Sequence, residues 1–526
     1  MFLSSLQSLR ERILRQNTLL SMAHLGANAF DSISGEIVST TAFVLENANQ
    51  PTYQGNYLRL IDGSSESEKE NAIHEALKNP ACGWNYRASA ADFNKIPGSP
   101  IAYWLSNGAL KAFEEGTPFE NAAPTRKGMV TARNAVYVRD WHEVSINRSG
   151  LDKFASREEA KDSGKKWFSY LKGGGFRRWY GNKFNLVNWE NDGYLLQNTR
   201  HPAEDRVWAT NFNLDFIFNE NVNWGAVAST GFSARISKRG ELFDAGGSAC
   251  FPTKVNTKSI LAFLNSKVTG ILLEALNPTL NFQAGNISDL PLTSALNNKS
   301  IIENSHAAIE QTKSDWNSYE TSWDFTTLPL LNYEYFQPTL KTTYQKLRSR
   351  WLEMTLEMQR LEEENNRIFI EAYGLQNELT PEVRLGEITL TCNPHYRYGG
   401  DKSEENLEAL LLADTMRELI SYAVGCMFGR YALDKPGLIL ANQGETIEDY
   451  LRQVPEPSFP VDDDNVIPML DGDWFTDDIA ERFRKFLRVT FGEEHYEENL
   501  NFVQKALGKN GKARDIRDYF LKDFYN

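Results

Sequence analysis

The middle of this 526-residue chain concentrates both positive charge and glycine, and that concentration constrains the architecture more than any other feature. Between Arg126 and Lys258 lie 21 basic and 14 acidic residues, net +7, while the remainder carries 35 basic and 56 acidic, net -21. Short strand-like runs such as VYVRDWHEV, NLDFIFN and GFSARIS fill this middle, whereas helical spacing prevails in the last third. The chain is too long for one compact core and suggests about three domains. The expected fold class is a mixed α/β multidomain protein.

With 41% apolar residues and no uninterrupted apolar run of membrane-spanning length, the composition is that of a globular protein rather than a disordered or membrane-spanning one. Arg10 and Arg12 interrupt the opening MFLSSLQSLRERIL where a signal peptide's apolar core would continue, so a cytoplasmic location is expected. Cys82, Cys250, Cys392 and Cys426 lack C-x-x-C spacing and are expected to be reduced core thiols. The histidines show no H-E-x-x-H pairing, and the acidic run Asp462 to Asp473 has Ile467 and Asp473 where a calcium loop needs Gly and Glu. No metal site is expected.

Residues 2 to 16 space Leu3, Leu6, Leu9, Ile13 and Leu14 as one helical face, with Arg10, Arg12 and Arg15 outside it. GEIVSTTAFVLEN reads as a strand. Residues 1–63 cannot close a core alone and are expected to end a larger sheet domain. Residues 64–123 are expected to be a connector with helices at 64–78 and 109–115, and 124–295 the basic α/β unit. A helical pair is expected over 256–276, capped at Asn256 or Thr257. A helical spacer over 296–375 and an acidic, mostly helical region over 376–526 complete the chain.

Two loops carry the chemistry of nucleic-acid recognition. In KGGGFRRWYGN, glycines allow close backbone approach at Gly173 and Gly174, while Lys172, Arg177 and Arg178 supply phosphate or guanine contacts; Trp179, Tyr180 and Asn182 add stacking and polar groups. In PTRKGMVTARN the candidates are Arg126, Lys127, Thr131, Arg133 and Asn134, and Arg235 in GFSARIS is a further one. A solvated hairpin and a linker are the bland alternatives. LFDAGGSACF imitates a cofactor loop but lacks the acidic residue about 20 positions on, and ITLTCNPHY has His395 where an Asn-Pro-Pro-Tyr tetrad has proline.

The strings SMAHLGANAFDSISGEIVSTTAFVL, KGGGFRRWYGN, NWENDG, NPTLNFQAGNISDLPL, EENNRIFIEAYGL, ELISYAVGCMFGRYALDKPGL and DDDNVIPMLDGDWF resemble the PglX-type adenine-specific (N6) DNA methyltransferases of BREX phage-defence systems. The resemblance implies that residues 1–63 are the remnant of a Rossmann-like class I methyltransferase sheet, and that a target-recognition domain lies near 124–295. It implies a full enzyme using S-adenosyl-L-methionine, with double-stranded DNA as partner, whose Gly-rich motif and tetrad lie outside this sequence. No cofactor is then expected to bind this chain, and it is expected to be inactive alone. The missing core in trans and other BREX proteins are further implied partners. By position in HLGANAFDS, Phe30 is implied to stack on the flipped adenine; a core phenylalanine is the alternative. Where relatives are expected to have T-G-x-N, this chain has Thr131-Ala132-Arg133-Asn134. A non-catalytic specificity subunit pairing with a separate methyltransferase is the rival reading, and a scaffold without a DNA role is a third.

Overall fold

The computed structural model describes residues 6–32, 39–151, 153–227, 230–277, 279–472, 474–509 and 511–524. Helix Gln7–Gln16 forms within the expected span, but of the expected apolar face only Leu14 is buried, Leu9 is exposed, and Arg10, expected outside, is buried. The Arg10 guanidinium donates to Gly98 O at 2.8 Å and Ser99 O at 3.0 Å, so this arginine pins the turn at 98–99 instead of facing water.

Four strands follow, β1 (Thr18–Gly26), β2 (Thr40–Glu46), β3 (Gly55–Arg59) and β4 (Asn85–Ala88), in the order β2-β1-β3-β4. β1 and β3 run parallel; the two outer pairings are antiparallel. Residues 35–38 of the expected strand lie outside the described residues. The span read as a connector instead completes this unit: β4 is its fourth strand, and Phe93, Ile101 and Tyr103 join Leu14, Met22 and Tyr57 in its core. Tyr57 stacks on Tyr103 with ring centroids 5.0 Å apart. Both flanking helices form as expected, Glu66–Lys78 behind the Ser65 cap and Asn107–Glu115 behind Ser106.

The central unit holds two small four-stranded sheets. One orders Ala234–Ser237, Asn221–Trp224, Ala249–Cys250 and Thr125–Arg126; the other Leu242–Phe243, Trp167–Leu171, Asn185–Asn188 and Val138–Asp140. NLDFIFN is not a strand. Asn213 and Phe218 take positive φ (50° and 66°), and the segment turns, placing Ile217 and Phe218 in the core. The expected helical pair is Thr257–Leu264, capped by Asn256, and Lys267–Leu276. Pro291–Leu292 pairs back on Thr117–Pro118, which brings the exit of the unit against its entry.

Long helices dominate the remainder, among them Lys299–Asn317, Leu340–Tyr373, Glu404–Met427, Ile479–Phe491, Tyr496–Ala506 and Ile516–Lys522. Leu340–Tyr373, with 34 residues, is roughly 50 Å long and ends at Gly374 in the left-handed region, φ +69°. One continuous apolar core joins Trp224 and Phe263 of the central unit to Leu347, Phe369, Ile420 and Phe486 of these helices. The boundaries expected at 295/296 and 375/376 therefore do not separate independent cores. Cys250, Cys392 and Cys426 are buried free thiols within it. Among the described residues no single helix is long and apolar enough to cross a membrane, and no cluster of potential metal ligands occurs.

Candidate nucleic-acid interface

Three glycine-containing loops of the central unit converge on Asp244. Its carboxylate accepts from Gly246 N at 2.7 Å, lies 2.8 Å from the Tyr170 hydroxyl, and faces Lys172 Nζ at 3.6 Å. Burial, and then Asp244 itself, push the Tyr170 phenol well above its ordinary value, so it stays a neutral donor. Met129 N donates to Phe243 O and Ala245 N to Met129 O, stitching the loop of Lys127 and Arg133 to the same point. The glycines serve this convergence. A Cβ on Gly128 would collide with Asp244 O, one on Gly173 with Gly246 O, and one on Gly247 with Leu171 O. Gly173 also requires φ +82°. Gly247, in the run that imitated a cofactor loop, is thus a packing glycine.

Beyond this junction the expected contacts divide sharply by exposure. Lys127, Arg133, Asn134 and Gly174 are exposed. Arg126 is partly covered, paired with Glu120 at 3.0 Å and lying over the Phe216 ring, and Lys172 is held by Asp244. Thr131 is buried and lies 2.5 Å from Asn134 Oδ1, shaping the loop from within. Ala132 adopts φ +61°. The position where T-G-x-N would place glycine thus keeps the left-handed backbone that glycine favours, at an expense of roughly 1–2 kcal/mol for an L-residue.

The FRRWYGN half of the other loop turns inward. Arg177 is 5% exposed, donates to Thr391 Oγ1 at 2.5 Å, lies 3.5 Å from Asp315, and stacks over Trp316. Arg178 meets Glu362 at 2.5 Å, and Trp179 Nε1 donates to the other oxygen of the same carboxylate at 2.7 Å. Burial raises the Glu362 pKa, and Arg178 opposes that rise. Arg235, 1% exposed, donates to Arg177 O at 3.1 Å and Gly173 O at 3.2 Å. Burial first, and then Arg177, hold its guanidinium down to about 10. Tyr180 is buried, and Asn182 Nδ2 closes the loop on Gly175 O at 2.9 Å. Arg177, Arg178 and Trp179 are therefore corrected from DNA contacts to the seam between the central unit and the helices, and Tyr180 and Arg235 to the interior of the central unit: side chains buried against carboxylates, carbonyls and rings do not face a duplex.

The sequence reading missed a neighbouring segment. Thr210 bridges to Val130, Arg133 lies 5.9 Å over the Trp208 ring, and Tyr137 meets Thr199 at 2.6 Å, which places exposed Arg200, Arg206, Thr210 and Asn211 beside the Lys127–Asn134 loop. Asn211 and Asn213 both take positive φ, and the Arg- and Asn-rich string TRHPAEDRVWATNFN was the available signal.

Phe30 is 47% exposed, on the segment leaving β1, so it is not a core side chain. Four residues before it, Gly26 lines a cleft of about 860 Å³ between the first sheet and residues 270–282. Arg59 lies over the Trp104 ring in this cleft and pairs with Glu274 at 2.6 Å. Burial first, with Arg59 adding to it, lowers the nearby His24 imidazole to about 4, keeping it neutral near pH 7.

No family model matches the chain. It is 38% identical over 534 residues to the adenine-specific methyltransferase PglX of Lacticaseibacillus casei (strain Zhang), and 36% identical over 540 residues to the adenine-specific methyltransferase BrxX of Escherichia coli O9:H4 (strain HS). Each match covers all of this chain and 42% of the relative, so the chain spans less than half the length of the curated proteins it resembles.

Proposed function

Taking its whole-length relationship to part of the adenine-specific methyltransferases PglX and BrxX as premise, we propose that this chain is the DNA-recognition portion of a site-specific DNA adenine-N6 methyltransferase serving BREX phage defence. The observation that carries the reading is the surface made by Lys127, Arg133 and Asn134 with Arg200, Arg206, Thr210 and Asn211. Cations for phosphates and planar amides for base edges stand exposed together, the Lys127–Asn134 loop stitched beside Asp244 and the 200–211 segment bridged to it through Val130, with Arg200 and Arg206 paired only with the exposed carboxylates of Asp205 and Glu204. The first sheet is assigned to the end of the Rossmann-like methyltransferase domain. Binding of S-adenosyl-L-methionine and methyl transfer fall to the part of such an enzyme that this chain does not span. Exposed Phe30, four residues after the cleft-lining Gly26, offers its ring to an extruded adenine, which loses its stacking neighbours on leaving the duplex.

The test is selection of duplexes from a random library by the purified chain. One enriched, asymmetric site is expected. Arg133→Ala or Asn134→Ala should relax the choice at one or two positions at about 1–3 kcal/mol each, while Lys127→Ala should weaken all sequences alike. If the parent enriches nothing and binds all duplexes equally, the recognition reading is wrong.

A further inference from the structure

The helical region 376–526 carries 17 basic against 29 acidic residues, yet a concavity that it helps to form is lined by basic side chains. A cleft of about 890 Å³ opens between the first turns of Glu404–Met427, the helix Tyr496–Ala506 and the start of Leu340–Tyr373. Lys341, Lys402, Arg417, Lys505 and Lys509 line it, against the single carboxylate Glu498. Arg417 pairs with Asp414, and Lys402 donates to the carbonyls of Tyr398 and Gly399 at 3.0 and 2.8 Å. Lys341, Lys505 and Lys509 are exposed and make no ion pair among the described residues. Three like charges left uncompensated around one concavity repel one another, an arrangement that an anionic occupant would relieve.

Lys402 also lines a second cleft, of about 720 Å³, that continues toward the central unit. There Lys267, at the start of the second helix of the central pair, stands with Arg178 and Arg384 against Glu387. Arg178 and Arg384 are committed to carboxylates, whereas half-buried Lys267 and exposed Lys402 make no ion pair among the described residues. Phe176, Phe232 and Tyr396 line the same cleft. Lysines lining two clefts joined at Lys402, with aromatic residues in the second, fit a repeating phosphodiester chain better than an acidic protein segment, whose charges do not recur at regular spacing.

We propose that these two joined clefts form a phosphate track that carries nucleic acid flanking the recognised site across the helical region, an inference that rests on the DNA-recognition reading. The track contributes affinity and no sequence choice. Each phosphate neutralised by a lysine adds roughly 0.9 to the slope of log K against log salt.

The test measures binding of the selected site, within a long duplex and trimmed to the site alone, across a salt series, for the parent chain and for Lys341→Ala/Lys505→Ala/Lys509→Ala. The triple variant should keep the parent's melting temperature and preferred sequence, bind the long duplex more than about tenfold more weakly at 150 mM salt, and show a slope shallower by about two to three. The corresponding triple arginine variant should restore the slope. On the trimmed site, parent and triple variant should agree. An unchanged slope on the long duplex overturns the track and leaves the recognition reading intact, whereas a parent that binds no duplex overturns both. Equal loss on long and trimmed duplexes also overturns it, by moving the lysines to the site itself. If a poly-glutamate peptide binds the parent but not the triple variant while the long-duplex slope is unchanged, the clefts take an acidic protein instead.

Discussion

A guanidinium that closes on a buried carboxylate is no longer available to a base edge, and Arg178 has closed on Glu362. The side chains are 13% and 4% exposed, and Trp179 spends its indole N–H on the same carboxylate. Arg178→Ala should therefore act on stability before it acts on binding: it leaves Glu362 buried without its counter-charge, at about 3–5 kcal/mol. Urea denaturation measures this, and Glu362→Gln, which retains an acceptor for Trp179, should lose less. A stability change within about 0.5 kcal/mol, accompanied by loss of one base preference, would return Arg178 to the interface. Composition could not separate the two roles. KGGGFRRWYGN presents cations and aromatics to the eye in one string, but Asp315, Glu362 and Thr391, the groups that claim them, lie more than 130 positions away in sequence. The exposure of Lys127, Arg133 and Asn134, by contrast, depends on a local turn, with Ala132 in the left-handed region and Thr131 hydrogen-bonded to Asn134.

At the scale of elements, helices with local caps were readable and strands dependent on distant partners were not. Asn256, Ser65 and Thr339 each hold the first turn of a helix whose position follows from its own residues. Asn85–Ala88 is a strand only because β3 lies beside it, and NLDFIFN, whose composition suits a strand, turns at Asn213 and Phe218 to fill the core. The glycines show the same dependence on partners. Gly173 has φ +82° and faces Gly246 O, whereas nothing lies within 4 Å of a Cβ at Gly175 and its φ is not positive. Gly173→Ala should therefore destabilise by about 2 kcal/mol or more, and Gly175→Ala should stay within about 0.5 kcal/mol. Thermal melts of the two variants check the contrast. Because Gly175 is exposed at the loop tip, loss of DNA affinity in a normally melting Gly175→Ala would add the tip to the interface.

For the whole molecule, the decisive fact is that the central unit owns only part of its core: Met129, Phe168, Val187 and Phe243 pack in a cluster of its own residues, but the remainder is shared with the helices. Trp179, Trp224 and Phe263 pack in the same apolar cluster as Leu347, Phe369 and Ile420, and Phe263 stacks on Tyr373 with centroids 5.8 Å apart. Polar ties cross the same seam: Arg177 to Thr391 and Asp315, Arg178 to Glu362, Tyr396 to Phe176 O, and Asn366 to Lys267 N. Residues 124–295 produced alone would expose the faces of Thr257–Leu264 and Lys267–Leu276 now covered by Lys299–Asn317 and Leu340–Tyr373. They would also strand Arg177 without Asp315 and Trp316, and Arg178 without Glu362. Such a fragment should aggregate, or melt without a cooperative transition while binding a hydrophobic dye. Residues 106–526 retain both sides of the seam and the pairing of Thr117–Pro118 with Pro291–Leu292, and they should unfold in one cooperative step. The first sheet, with its own core of Leu14, Met22, Tyr57, Phe93 and Tyr103, should be removable at little expense to that step. Calorimetry on the two fragments decides the matter: a monomeric 124–295 fragment with a sharp transition near that of the whole chain would show that the shared core is not needed to hold the recognition loops.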